Sequence, residues 1–271
     1  TPIASQNFSC FSPFEPHIIH VSHHLCHAFS AQTLSTQYEC SVLVVDGSGG
    51  SVYGMDDHIL SGPELKDYLV SNTDKSKALP RLHVMSFYRF TKDGFKLLER
   101  ETATSFNVRH GSSSIGETYA AVAQYIFGSW QASGKVMGLA PYGQPDSSFL
   151  DKSMPGAYMN FRSDWKLRYN EGGGDPVQDH AALAATVQSD LESCLLERIY
   201  SVAQFAPVEH LYYAGGVALN CKANQQIEKK SAVSKLTVFP ASNDAGIAIG
   251  AAAAAYYTTT GKMLKTGGEH H

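Results

Sequence analysis

The stretch that decides the fold is Ser41-Val-Leu-Val-Val-Asp-Gly-Ser-Gly-Gly50, an apolar run that ends at Asp46 and continues in small residues. Such a run predicts a buried strand, and the glycines predict a tight turn directly after Asp46. A carboxylate at the end of a buried strand faces the crevice where α/β proteins bind ligands. Asp46 is therefore the first candidate site residue, with a simple turn-forming role as the alternative.

The patterns on either side of this strand complete an α/β fold. Further strands are predicted at 17–21, 51–55, 81–89, 95–102, 210–214 and 235–239, and helices at 23–32, 116–127, 179–205, 218–228 and 245–257. The polar segment 61–78 is predicted to be an insertion or mobile loop, and 134–143 a loop interrupted by glycine and proline. An antiparallel start followed by alternating helices and strands predicts the α/β class.

Composition indicates an ordinary globular enzyme. The chain has 271 residues, of which 43% are hydrophobic and 17% charged, with a net charge of −4. We therefore expect a substantial core, and neither nucleic acid nor membrane lipid as a partner. The five cysteines form no C-x-x-C pair and no signal peptide is visible, so a reducing cytoplasm is the expected location.

A pair of histidines predicts a metal site. In His23-His-Leu-Cys-His27 the two outer histidines are four residues apart, which on a helix places both imidazoles on one face. Asp46 and Asp244 would add two carboxylates, and this set suits Fe(II), Zn(II) or Mn(II) better than calcium. Asp244 could instead cap a helix. His24 would point away from the pair and is expected to form a structural hydrogen bond.

Two strand-to-helix turns predict a site for phosphate. Ala214-Gly215-Gly216 lets the backbone approach an anion at a helix start, Asn220 could bond a ribose or phosphate, and Asp244-Ala-Gly246 is a second such turn. Packing turns without a ligand are the alternative. Lys135 could neutralise a phosphate or be a solvated lysine, and His110 could be a site residue or a structural one. No Walker, Rossmann or serine-hydrolase motif is present.

Five segments in this order resemble one protein family: HHLCHAFSA (23–31), VLVVDGSG (42–49), KVMGLAPYG (135–143), AGGVALNCKAN (214–224) and PASNDAGIAIGAA (240–252). The chain resembles the O-carbamoyltransferases of nodulation-factor and antibiotic biosynthesis, the NodU/CmcH group, from about residue 17 to residue 257.

The resemblance implies an actin-like (ASKHA) fold related to the universal tRNA threonylcarbamoyltransferase and joined to a YrdC-like domain. The YrdC-like part makes carbamoyl adenylate from carbamoyl phosphate and ATP, and the actin-like part moves the carbamoyl group to an acceptor hydroxyl of a natural product. The implied metal ligands are His23, His27, Asp46 and Asp244, with Fe(II) preferred over Zn, Mn or Mg. The implied adenylate contacts are Lys135, Gly215, Gly216 and Asn220, and the candidate catalytic residues are His110 and Lys135.

Family members are longer than this chain. The resemblance therefore predicts a remnant of the first actin-like lobe with the metal-binding helix (1–40), a second lobe (41–260) and a flexible tail (261–271). The N-terminal segment and the YrdC-like domain of the family are not recognised in the sequence. Two alternatives stay open: a nucleotide-binding partner module that needs a YrdC-like protein, and a tRNA threonylcarbamoyl-type transferase, which the lack of a basic surplus disfavours.

Overall fold

The computed structural model describes residues 12–37, 39–50, 57–71, 82–103, 114–151, 161, 162, 164, 165 and 176–266. The strands in these ranges are β1 (Ile19–Val21), β2 (Cys40–Gly50), β3 (Ile59–Ser61), β4 (Leu82–Thr91), β5 (Gly94–Ala103), β6 (His210–Ala214) and β7 (Lys235–Val238). The α-helices are α1 (His23–Gln32), α2 (Gly62–Ser71), α3 (Ile115–Phe127), α4 (Ser133–Leu139), α5 (Pro176–Ala203), α6 (Cys221–Lys230) and α7 (Ile247–Thr260).

Five strands form one mixed sheet in the order β5-β4-β2-β6-β7, and β1 pairs with β3 in a separate antiparallel ribbon. β2, β4 and β5 are antiparallel neighbours, whereas β6 and β7 run parallel to β2. The helices α5 and α6 precede the two parallel strands, as crossover connections require. The predicted α/β class with an antiparallel start is thus confirmed.

Side chains of β2 alternate between two cores, because neighbouring residues of a strand face opposite sides of the sheet. Leu43 and Val45 pack with α3, α4, α5 and α6. Val42 and Val44 pack with α1 and α7 through residues such as Leu25, Phe29, Ala253 and Ala254. The sheet therefore lies between two helical layers, and α1 belongs to the thinner one.

The predicted turn after Asp46 is wrong, because β2 continues to Gly50. β2 pairs with β4 on both sides of a bulge between Val45 and Gly49. Its parallel pairing with β6 ends earlier, at Val44 and Ala214. Asp46 therefore stands where β6 leaves the sheet and β2 runs on beside β4, which opens a crevice at this residue.

Two predicted loops contain helices. Segment 134–143 forms α4 and a 3₁₀ turn, because Val136 and Ala140, four residues apart, are buried and outweigh the low helix propensity of the glycines. Segment 61–78 begins with α2, where Glu64 accepts hydrogen bonds from the backbone N–H and hydroxyl of Ser61. This S-x-x-E capping pattern is a signal in the sequence that the loop prediction ignored.

Residues 261–266 are not a free tail. Met263 and Leu264 pack against the core shared by α1 and α7, and Thr266 N donates to Thr33 O at 2.7 Å. That core also crosses the predicted boundary at residue 40, since Leu25 on α1 packs with Val42 on β2. Assignment of the two parts to actin-like lobes stays a prediction.

The remaining general expectations concern thiols and membranes. Cys26, Cys40, Cys194 and Cys221, the cysteines that the structure describes, are free thiols. No helix among the described residues is long and apolar enough to cross a lipid bilayer.

Candidate functional site

The helix α1 presents His23 and His27 on one face, as their spacing predicts. Their Nε2 atoms lie 3.1 Å apart, and the two rings meet edge to face. His27 is fully buried, whereas the side chain of His23 is 21% exposed. The pair therefore forms the floor of a site that is open on the His23 side.

Two carboxylates complete the cluster. Asp46 Oδ2 lies 3.0 Å from His23 Nε2 and 3.5 Å from His27 Nε2. Asp244 Oδ1 lies 3.4 Å and 3.6 Å from the same two atoms. Asp244 is not an N-cap: it begins a 3₁₀ turn that Asn243 caps by accepting from Ala245 N, and the N-cap of α7 is Gly246. The side chain of Asp244 is 71% exposed, so this carboxylate forms the solvent side of the cluster.

The donor set fits a divalent cation. One atom from each of the four side chains lies within 4.8 Å of the others. Tetrahedral ligands at about 2.1 Å from a metal are roughly 3.4 Å apart, and the separations that involve a histidine Nε2 atom, 3.0 to 3.6 Å, bracket that value. The two Nε2 atoms face each other and both carboxylates, as ligands of a shared cation would. The four side chains could therefore hold a metal.

Contacts within the cluster lower the pKa values of the two carboxyls, as expected of a site that attracts a cation. Burial opposes ionisation of Asp46, yet its contacts with His23 and His27 hold the pKa of this carboxyl well below its usual range. Burial would also lower the pKa of His27, but the hydrogen bonds to Asp244 and Asp46 raise it overall. The contact with His27 lowers the pKa of Asp244. The two carboxylates thus stay charged and favour a positive charge between the imidazoles.

The glycine turn after β6 brings its backbone to the same place. Gly215 has a φ of 92°, and a Cβ on it would overlap the carbonyl oxygen of Val45. Only glycine tolerates both conditions, so the turn can press against β2. The N–H of Gly216 then points at Asp46 Oδ1, 3.3 Å away.

On the other side of Asp46, α3 starts against Gly47. Ser114 caps α3 by accepting from Glu117 N, and its hydroxyl donates to Gly47 O at 2.5 Å. Gly116 lies against the backbone of Gly47, where a Cβ would come within 2.7 Å of its Cα. The sequence analysis did not identify the role of Ser114 and Gly116 in fixing the Asp46–Gly47 peptide.

A cavity of about 550 Å³ opens beside the cluster. Asp46, Gly216 and Asn220 lie on its wall, together with Met137 and Trp130. Trp130 is 63% exposed, and its backbone N–H donates to Gln124 Oε1 at 3.1 Å. The sequence analysis did not select Trp130, because a lone tryptophan in a polar stretch carries no recognisable pattern.

Other predicted nucleotide contacts are placed differently. Asn220 borders the cavity, but its amide pairs reciprocally with that of Gln188, and its Oδ1 accepts from Ala223 N at the start of α6. Lys135 is exposed on α4 with Nζ 5.7 Å from the centre of the Phe127 ring and does not line the cavity. His110 lies outside the described residues. The roles predicted for these three residues stay predictions.

His24 has the structural role expected of it. Its ring is fully buried, and Nδ1 lies 2.8 Å from Ser86 Oγ. Burial holds the pKa of His24 well below its ordinary value, so the imidazole is neutral.

The fold and the site together define an α/β protein with a candidate divalent-metal centre at the mouth of a ligand cavity. Residues 3–253 match the family described as "Carbamoyltransferase N-terminus". The chain therefore belongs to this carbamoyltransferase family, which confirms the resemblance drawn from the sequence motifs.

Two proteins similar in sequence to this chain are nodulation proteins. Nodulation protein NolNO of Sinorhizobium fredii is 28% identical over 244 residues, covering 86% of this chain and 30% of the relative. Nodulation protein NolO of Bradyrhizobium diazoefficiens is 29% identical over 158 residues, covering 52% of this chain and 28% of the relative. The chain thus spans less than a third of the length of these two relatives.

Among solved structures, HypF from T. kodakarensis matches with a TM-score of 0.49 and 12% identity, over 90% of this chain and 37% of that protein. A full-length HypF in a phosphate- and nucleotide-bound form matches with a TM-score of 0.46 and 15% identity, over 91% of this chain and 44% of that protein.

Proposed function

We propose that this chain carries the carbamoyl-transfer step of a metal-dependent O-carbamoyltransferase. Its donor would be carbamoyl adenylate, made from carbamoyl phosphate and ATP, and its acceptor a hydroxyl group of a natural product. The observation that carries the proposal is the convergence of His23, His27, Asp46 and Asp244 at the mouth of a cavity, in a chain of the carbamoyltransferase family.

The strand order supports the actin-like assignment of the fold. The antiparallel strands β2, β4 and β5 are followed along the chain by β6 and β7, which run parallel to β2. In the resulting order, β5-β4-β2-β6-β7, the strand β2 lies in the centre. This is the arrangement that the family resemblance implies for an actin-like lobe. It places the end of β2 and the turn after β6 side by side, where such folds bind ligands.

The four-residue cluster would hold the metal, and Fe(II) is our preferred ion, with Zn, Mn and Mg as alternatives. When bound, the cation supplies Lewis-acid stabilisation of negative charge on an oxygen of the donor. The two carboxylates balance its charge. The exposure of Asp244 leaves the solvent side of the cluster accessible to a substrate group.

The cavity would hold the nucleotide part of the donor. The Gly215-Gly216 turn offers backbone close to Asp46, and the apolar side chains of Met137 and Val217 line the space beyond. The indole of Trp130 offers a flat surface to a purine base. These contacts would hold the carbamoyl carbon beside the cluster, and such orientation lowers the entropic part of the barrier.

The reaction proposed forms a bond from the acceptor oxygen to the carbamoyl carbon and breaks the bond from that carbon to the phosphate oxygen. AMP leaves with the electron pair of the broken bond, and the proton of the acceptor hydroxyl passes to solvent water. We further propose that a YrdC-like domain or protein forms the adenylate, as the family resemblance implies.

Carbamoyl transfer from preformed carbamoyl adenylate tests the proposal directly. Metal-free chain would be loaded with Fe(II) under anaerobic conditions and assayed for AMP release and for mass gain of hydroxylated acceptors. We expect metal-dependent AMP release that a chelator abolishes. Nucleotide binding without turnover in the presence of a YrdC-like protein would instead identify a binding module, and failure of both metal and nucleotide to bind would refute the proposal.

A further inference from the structure

A buried ion pair connects the sheet to the first turn of α1. Arg100 Nη2 on β5 donates to Asp57 Oδ2 at 2.6 Å, and the two side chains are only 8% and 10% exposed. The Tyr88 hydroxyl donates to the same oxygen at 2.8 Å. Burial and the Asp57 charge raise the pKa of Tyr88, so its hydroxyl remains a donor. The transfer chemistry proposed above makes no use of this pair.

One branch of the network leads to the residue before His23. The Ser22 hydroxyl donates to Asp57 Oδ1 at 3.0 Å. Ser22 is the N-cap residue of α1, yet its side chain makes no capping bond to the helix. Its backbone N–H donates to His58 O at 3.0 Å. The N-cap is therefore held by the segment 57–58, and through Asp57 by Arg100.

A second branch leads to the residue after His23. Arg100 Nε donates to Ser86 Oγ at 3.0 Å, and Ser86 Oγ lies 2.8 Å from His24 Nδ1. A guanidinium only donates, so the Ser86 hydroxyl can direct its own proton to Nδ1. The His24 ring packs closely against β2, where a Cβ on Gly49 would overlap it. His24 is thus clamped between two strands.

We propose that Arg100 is a positioning residue of the metal centre, which fixes both neighbours of His23 and thereby the direction of the His23 imidazole. The inference rests on the function proposed above, since it assigns Arg100 a purpose only if the cluster binds a metal. It extends that function by assigning a positioning role to a cation on β5, the edge strand of the sheet.

The guanidinium shape explains why an arginine stands here. Nε and Nη2 reach Ser86 and Asp57 at the same time, because the two nitrogens are held in one rigid plane. A lysine has three donors on one nitrogen and lacks the two side-by-side nitrogens that match Ser86 and Asp57. Arg100→Lys should therefore retain charge balance for Asp57 while weakening the contact that orients the Ser86 hydroxyl towards His24.

The experiment uses Co(II) as the probe, because its visible absorption reports the geometry of its ligands independently of catalysis. Ser86→Ala removes only the His24 branch and keeps the buried ion pair, so the variant should fold. Arg100→Lys tests whether both nitrogens, Nε and Nη2, are needed. The matched control is Arg198→Met, which removes the ion pair between Arg198 and the neighbouring β5 residue, Glu101, without touching the network of α1.

We expect Ser86→Ala and Arg100→Lys to weaken Co(II) binding by about 10-fold or more, in the range typical of groups that orient metal ligands, and to change the absorption band. Arg198→Met should lower the melting temperature about as much as Ser86→Ala and Arg100→Lys do. It should leave the Co(II) affinity and the absorption band unchanged. Wild-type affinity and spectrum in Ser86→Ala and Arg100→Lys would overturn this inference alone. If the wild-type chain binds no Co(II), the inference and the proposed metal centre both fall.

Discussion

The Oδ1 atom of Asp46 accepts a hydrogen bond from the N–H of Gly216 at 3.3 Å, while Oδ2 of the same carboxylate lies 3.0 Å from His23 Nε2. One side chain thus connects the predicted metal cluster to the predicted phosphate turn. Because Gly216 also borders the cavity, a change at Asp46 should affect both halves of the site.

Asp46→Asn separates these two functions. The amide oxygen can still accept from Gly216, but the negative charge next to the histidines is lost. We expect metal affinity to fall by more than about 100-fold, since loss of a ligand should exceed the effect of losing a group that only orients one. Calorimetric titration with Zn(II) measures this. The metal affinity of Asp244→Asn, which changes the carboxylate on the exposed side, should fall less. Equal metal affinity of wild type and Asp46→Asn would exclude Asp46 as a ligand.

Metal binding should strengthen as pH rises from 6 towards 8. The pKa of His27 is raised in the metal-free chain, so below that pKa an incoming cation must displace a proton from Nε2. The apparent affinity should therefore change by roughly tenfold per pH unit for each proton released, and level off above the pKa. Titrations in a pH series, with His27→Gln as the comparison, measure the slope. A flat profile would show that no proton is released.

Gly215→Ala should destabilise the fold. An alanine at a φ of 92° is strained, and its Cβ would overlap the carbonyl oxygen of Val45. Together these effects should cost more than about 2 kcal/mol in the free energy of unfolding. Gly138→Ala is the matched control: no atom lies within 4 Å of its Cβ position on α4, so it should stabilise by about 0.5–1 kcal/mol. Denaturant unfolding curves of the two variants should shift in opposite directions.

Trp130 should report nucleotide binding by its fluorescence. The other tryptophan, Trp165, is only 4% exposed, so quenching by ATP should come from Trp130 and vanish in Trp130→Phe. Trp130→Ala should weaken ATP binding by about 5- to 100-fold, the range expected for loss of one base–aromatic stack. Tripolyphosphate, which lacks the base, should bind both forms alike. An unchanged ATP affinity in Trp130→Ala would place the base elsewhere.

Sequence reasoning succeeded where the signal is local. The apolar run before Asp46 and the four-residue spacing of His23 and His27 each depend on neighbours along the chain, and β2 and α1 lie where predicted. Convergence of the pair with Asp244 was a hypothesis that no local pattern could establish, because residues so far apart meet through the packing of α1 on α7.

The errors have physical causes as well. The glycines around Lys135 concealed a helix that is stabilised by burial of Val136 and Ala140. The amide of Asn220 is taken up by Gln188, a residue on a different helix that no short motif connects to it. The network behind His23 depends on Arg100, whose partners Asp57, Ser86 and Tyr88 come from two separate segments, residue 57 and β4.

The close crossing of α1 and α7 bears on how the protein matures. Gly250 lies so near the backbone of Cys26 that a Cβ there would overlap the Cys26 carbonyl, and α7 directly follows the turn that carries Asp244. During synthesis on the ribosome, the histidine pair emerges long before this helix. A nascent chain that lacks α7 would hold only part of the proposed ligand set, so tight metal binding should require that α7 has docked on α1.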